Sequence, residues 1–88
     1  MMFQAAVIRE QGVSFAVVVV KKYVLDNHAE ANRTIGAFEE QAFQDIPVVL
    51  MAQDYRGVPT YYGRRDIARF MAKVPLSAIP WKQYTVTL

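Results

Sequence analysis

The chain has 88 residues, 53% hydrophobic and 20% charged, a balance that excludes a disordered or acidic-tail protein and points to one small globular unit. It has no cysteine and a single histidine, which excludes disulfides, thiol chemistry, iron–sulfur clusters and cysteine-based zinc sites. The net charge is only +2, and the longest apolar run, Phe15 to Val20, is far shorter than the ~20 residues a membrane-spanning helix requires. Met1-Met2-Phe3-Gln4 lacks the basic start of a secretory leader. The expectation is therefore a soluble cytoplasmic protein without a membrane partner, forming a single α+β domain over residues 1–88.

Phe3 to Arg9 leans apolar and ends at Glu10-Gln11-Gly12, a turn whose glycine suits a positive φ. Val13 to Leu25, with its valine run, is the strongest strand signal. Around Val17–Val20 both alternating sets of positions are apolar, so this strand is expected to be central or buried at an interface. Lys21 and Lys22 close the run as charges that guard a sticky strand. Asn27 with Glu30 forms a capping box that opens a helix reaching Phe43, with Ala31, Ile35, Phe38 and Ala42 as its apolar stripe. Gly36 costs that helix about 1 kcal/mol relative to alanine, which suggests a close approach to the sheet.

Ile46 to Met51 reads as a third strand with Pro47 at its start, where the missing N–H matters least. Gln53 to Gly57 is a turn. Val58 to Tyr62 is a fourth strand whose Pro59 calls for an edge or a bulge. After Gly63, Arg64 to Val74 is a second helix with Ile67, Phe70, Met71 and Val74 at i, i+3, i+4 and i+7. Pro75 stops it, Pro75 to Pro80 is a loop, and Trp81 to Leu88 is a terminal strand. Trp81 and Tyr84 are expected in the core.

The order β-β-α-β-β-α-β predicts a two-layer α+β sandwich: a mixed sheet of about five strands with two helices on one face. Its last six elements are similar to the βαββαβ ferredoxin-like order, and the extra first strand competes for the place beside the second. Arg56-Gly57-Val58-Pro59-Thr60 resembles the thioredoxin segment in which a cis-proline leads a strand. The Cys-x-x-Cys pair of that family is absent, so no membership follows, and a trans Pro59 is expected.

Charge is distributed unevenly along the chain. Residues 1–25 carry +2. Residues 26–54, with Arg33 against Asp26, Glu30, Glu39, Glu40, Asp45 and Asp54, carry −5. Residues 55–88, with Arg56, Arg64, Arg65, Arg69, Lys73 and Lys82 against Asp66, carry +5. Arg65, Arg69 and Lys73 recur every four residues and so line one helix face. Arg64 precedes first-turn amides that attract anions, and Tyr55, Tyr61 and Tyr62 add aromatic surface.

Catalytic signals are weak. His28 lies between Asp26 and Glu30, but capping explains its surroundings. Ser14 and Ser77 lack a nucleophile-elbow context, and adjacent Glu39 and Glu40 diverge by about 100° on a helix. Asn32-Arg33-Thr34 matches a glycosylation sequon inside a helix and is read as coincidence. No catalytic residue, cofactor or metal is expected.

The leading expectation is a non-catalytic interaction domain acting as a homodimer or with another protein partner. A strand with two apolar faces is hard to cover in so small a monomer. The acidic first helix of one subunit could also meet the basic second helix of another. The alternative is an anion- or nucleic-acid-binding module using Arg56, Arg64, Arg65, Arg69 and Lys73 with Tyr61 and Tyr62. A small enzyme with a site near residues 54–65 comes third.

Overall fold

The computed structural model describes residues 1–87. β1 (Met2–Glu10) turns back into β2 (Val13–Val19) through Gln11 and Gly12, whose φ values of 52° and 79° give a two-residue hairpin matched to the strand twist. β2 ends at Val19 rather than Leu25. Val20 N–H makes a last bond to the Met51 carbonyl at 2.9 Å. The chain then leaves the sheet, the lysine heads reach water, and Lys22–Leu25 closes one helical turn, α1.

α2 (His28–Gln41) starts at Asn27 as its sequence predicts, with the Asn27 side chain accepting from Glu30 N–H at 3.1 Å. The other half of the capping box is not made, because Glu30 Oε2 accepts from Arg33 Nη2 at 2.7 Å instead. β3 (Val48–Gln53) and β4 (Pro59–Tyr62) form a hairpin closed by Asp54, whose Oδ1 accepts from Arg56 N–H at 2.8 Å and Val58 N–H at 3.0 Å. α3 is Arg65–Met71, a 3-10 turn spans Leu76–Ala78, and β5 is Lys82–Thr85. The second helix is thus shorter than expected: Lys73 N–H and Val74 N–H bond in i→i−3 fashion as the chain tightens ahead of Pro75. The expected last residue of the terminal strand, Leu88, lies outside the described residues.

One mixed sheet has the order β4-β3-β2-β1-β5, with β2 and β3 parallel and every other pair antiparallel. β4 is at an edge, as Pro59 requires, and no peptide bond among the described residues is cis. The α+β class and the mixed five-stranded sheet stand as expected. The strand order departs from the ferredoxin-like arrangement, because β3 lies directly against β2 with no strand between them. The hairpin partner β1 holds one flank of β2, which leaves the other flank to β3.

The helices lie on opposite faces of this sheet, not on one. Ala5, Ala16, Val18 and Leu50 pack with Ala31 and Phe43 and with partly buried Ile35 and Phe38, under α2. Ala6, Val17, Val49 and Met51 pack with Ile67, Met71 and Ile79, under α3 and the segment that follows it. The parallel crossover from β2 to β3 places α2 on the first face. The connection from β4 at one edge to β5 at the other then runs across the face left free.

Val17 and Val18 are therefore both fully buried within a single chain. Trp81 and Tyr84 join the two cores from opposite sides of β5. Gly36 is exposed, and a Cβ there would meet nothing within 4 Å, so it marks no close approach to the sheet. Among the described residues, no helix is long and apolar enough to cross a membrane.

Candidate anion-binding cleft

The site begins where β4 leaves the sheet. Gly63 has φ +152°, and a Cβ there would lie 3.0 Å from Val49 Cγ2 and 3.2 Å from Val49 Cα. A residue without a side chain lets the backbone pass this close to β3 and turn into α3. Strand alternation sends Tyr62 to the α2 face and Tyr61 to the α3 face.

Tyr62 donates its hydroxyl hydrogen to Asn32 Oδ1 at 2.9 Å. Its ring centroid lies 4.9 Å from that of His28, with the planes tilted by 32°. His28, Asn32, Ile35 and Glu39 fall along one flank of α2 at helical spacing. Together with Pro47, Val48, Tyr62, Gly63, Arg64 and Arg65 they line an open cleft of about 490 Å³.

The charges of the cleft differ in what they are free to do. Arg64 grips Asp66 in a fork, with Nε on Oδ1 and Nη2 on Oδ2, both at 2.8 Å. That hydrogen bonding holds the Asp66 carboxyl below its ordinary value of 3.8 and pushes the Arg64 guanidinium further up. Asp66 Oδ1 also accepts from Ile67 N–H at 2.9 Å. The first turn of the short α3 thus carries its own carboxylate, and the outward-pointing amides expected there are not a free anion site.

Arg65 is exposed and has no ion-pair partner among the described residues. The one carboxylate on the cleft wall, Glu39, is tied by Oε2 to Val48 N–H at 3.1 Å.

Of the residues singled out in the sequence, Tyr62, Arg64 and Arg65 come together here. Tyr61 points the other way into the α3-side core, where its hydroxyl is buried without a protein partner and burial raises it above the ordinary 10.0. Arg56 sits beyond the far end of β4, in the β3–β4 turn, its guanidinium carbon 5.8 Å from the centroid of the Tyr55 ring. Arg69 is exposed on α3, and Lys73 lies past its end, so the four-residue stripe keeps two members on the helix. Tyr55, Tyr61 and Tyr62 occupy a turn and two opposite faces and form no common stacking surface.

His28, Asn32 and Glu39 were not singled out as ligand groups. Their spacing along one flank of α2 was readable, but the packing of that flank beside β4 was not. Among the described residues, no three His, Asp or Glu side chains are grouped to hold a metal ion. Asp54 is spent on its turn, and no base–nucleophile pair appears in the cleft. No family model, curated protein or solved structure matches this chain.

Proposed function

We propose that the protein is a non-catalytic binding domain that takes a compact anion in the cleft between α2 and the β4–α3 junction. The observation that carries this reading is the meeting of unpaired Arg65 with the Tyr62–Asn32 hydrogen bond and the His28 ring around one cleft. A guanidinium presents donors in a fork that matches phosphate or carboxylate, and the Asn32 amide and Tyr62 oxygen add short-range polarity. Glu39 opposes anions by its charge, but its bond to Val48 N–H draws that charge toward the backbone.

Titration with pyrophosphate at low salt, followed by amide chemical shifts, tests the site. Perturbations are expected at residues 28–32 and 62–65, and Arg65→Glu should abolish them. Arg56→Glu, beyond the far end of β4, should leave the affinity unchanged. Equal weakening by both variants would mean diffuse attraction to a basic surface and would end the cleft reading.

Association is the second reading, and its support no longer comes from β2, whose faces are covered by the chain's own helices. It rests on Met1, Met2 and Tyr23, exposed at 57%, 68% and 68%. Sedimentation at micromolar concentration tests it directly: a single monomeric species removes the homodimer.

A further inference from the structure

The opposite flank of α2 borders a second cavity, of about 470 Å³, within the size range of small-molecule sites. Phe3, Val19, Val20 and Val86 come from the sheet side, and Val24 and Phe38 from α1 and α2. No acidic residue lines it. The only charged side chain on its lining is Lys21, which has no ion-pair partner among the described residues, while adjacent Lys22 pairs with Asp26 at 3.4 Å. Tyr23 lies at the mouth, exposed.

The lining is thus mainly apolar, with Thr34 and Gln41 as its neutral polar members, the Met1 ammonium donating to the Val86 carbonyl at 2.9 Å, and Lys21 as its only charged side chain. This charge pattern is complementary to an apolar chain ending in an anion. A cavity closed by nonpolar atoms alone would have no preference among alkyl heads, and an acidic neighbour would neutralise the lysine. Neither is the case here. We infer that this groove binds a single-chain amphiphile with a carboxylate head, its alkyl chain against Phe3, Val20 and Phe38 and its carboxylate at Lys21. The inference is independent of the anion cleft on the other side of α2.

Calorimetric titration with hexanoate, octanoate and decanoate below their micellar concentrations tests it, with decanol as the uncharged control. Each added methylene should tighten binding by about fourfold, the factor that follows from ~0.8 kcal/mol per buried methylene. Decanoate should bind at least tenfold tighter than decanol, and Lys21→Met should remove most of that difference while leaving decanol binding intact. Ala37→Trp, at an exposed groove position on α2, should block both ligands without disturbing the core. Affinity independent of chain length, equal affinity for decanol and decanoate, or undiminished binding in Ala37→Trp would each overturn the assignment. So would a dimer that Tyr23→Glu dissociates and decanoate does not, because the groove would then be occupied by a second copy.

Discussion

Tyr62 and Asn32 are separated by thirty positions in the chain and joined by one hydrogen bond, hydroxyl to amide oxygen, at 2.9 Å. That bond ties the edge strand β4 to α2 and fixes one wall of the cleft. Both groups are reachable by water, so its net worth is small, about 0.5–1 kcal/mol. Tyr62→Phe should therefore lower the urea-derived unfolding free energy by no more than that. It should reduce pyrophosphate affinity more noticeably, because Asn32 loses the partner that orients it. A large stability loss with unchanged binding would reverse the roles assigned to this pair.

Glycine substitutions should act with opposite signs at two positions. Gly63→Ala forces a side chain against Val49 at a φ of +152°, and a cost of about 1–3 kcal/mol is expected in denaturant unfolding. Gly36→Ala meets open space in the middle of α2 and should stabilise by about 0.5–1 kcal/mol through helix propensity and a less flexible unfolded chain. The same measurement on both variants checks the contrast.

Tyr61 carries a hydroxyl into the α3-side core and finds no protein partner there. Tyr61→Phe keeps the ring and removes the unsatisfied group. The variant should unfold at the same denaturant midpoint as the natural chain or a higher one, by up to about 1 kcal/mol. A clear loss would mean that the oxygen has a partner after all. In the natural chain the phenol should titrate above 10.0, the direction burial imposes.

Asp66 links the fold to acid pH. Its folded-state value is depressed by the Arg64 fork, so the stabilisation is present above the ordinary 3.8 and disappears as the pH falls through the lower folded value. A carboxyl-carbon titration should place Asp66 below 3.8, and Arg64→Gln should move it back up. Because both groups are exposed, added salt should shrink the effect.

Local chemistry made much of this fold readable. Asn27 and Glu30 placed the start of α2, Gln11-Gly12 the first hairpin, and Pro59 the edge strand, because each acts through neighbours in sequence. The end of β2 was harder. Val13 to Leu25 is one β-prone stretch by composition, but its ladder to β3 ends at Met51 and the backbone turns out of the sheet after Val20 into the α1 turn, although β3 itself runs on to Gln53. The faces taken by the helices depend on how the chain crosses from β4 to β5, which no local pattern encodes. The cleft was half legible for the same reason. Tyr62, Arg64 and Arg65 lie within four successive positions around Gly63, whereas His28 and Asn32 arrive through tertiary packing.

The strand order also constrains how the molecule can assemble in time. β5 pairs with β1 from the opposite end of the chain, and the segment that reaches it must first traverse the full width of the sheet. The β1–β2 hairpin closes over a two-residue turn, while the β1–β5 rungs join the two ends of the chain and form only once the stretch between β4 and β5 has crossed the sheet. Folding should therefore be slowed at its final rung. In native-state hydrogen exchange the amides of β5 should open at lower free energy than those of β2 and β3, which lie inside the sheet.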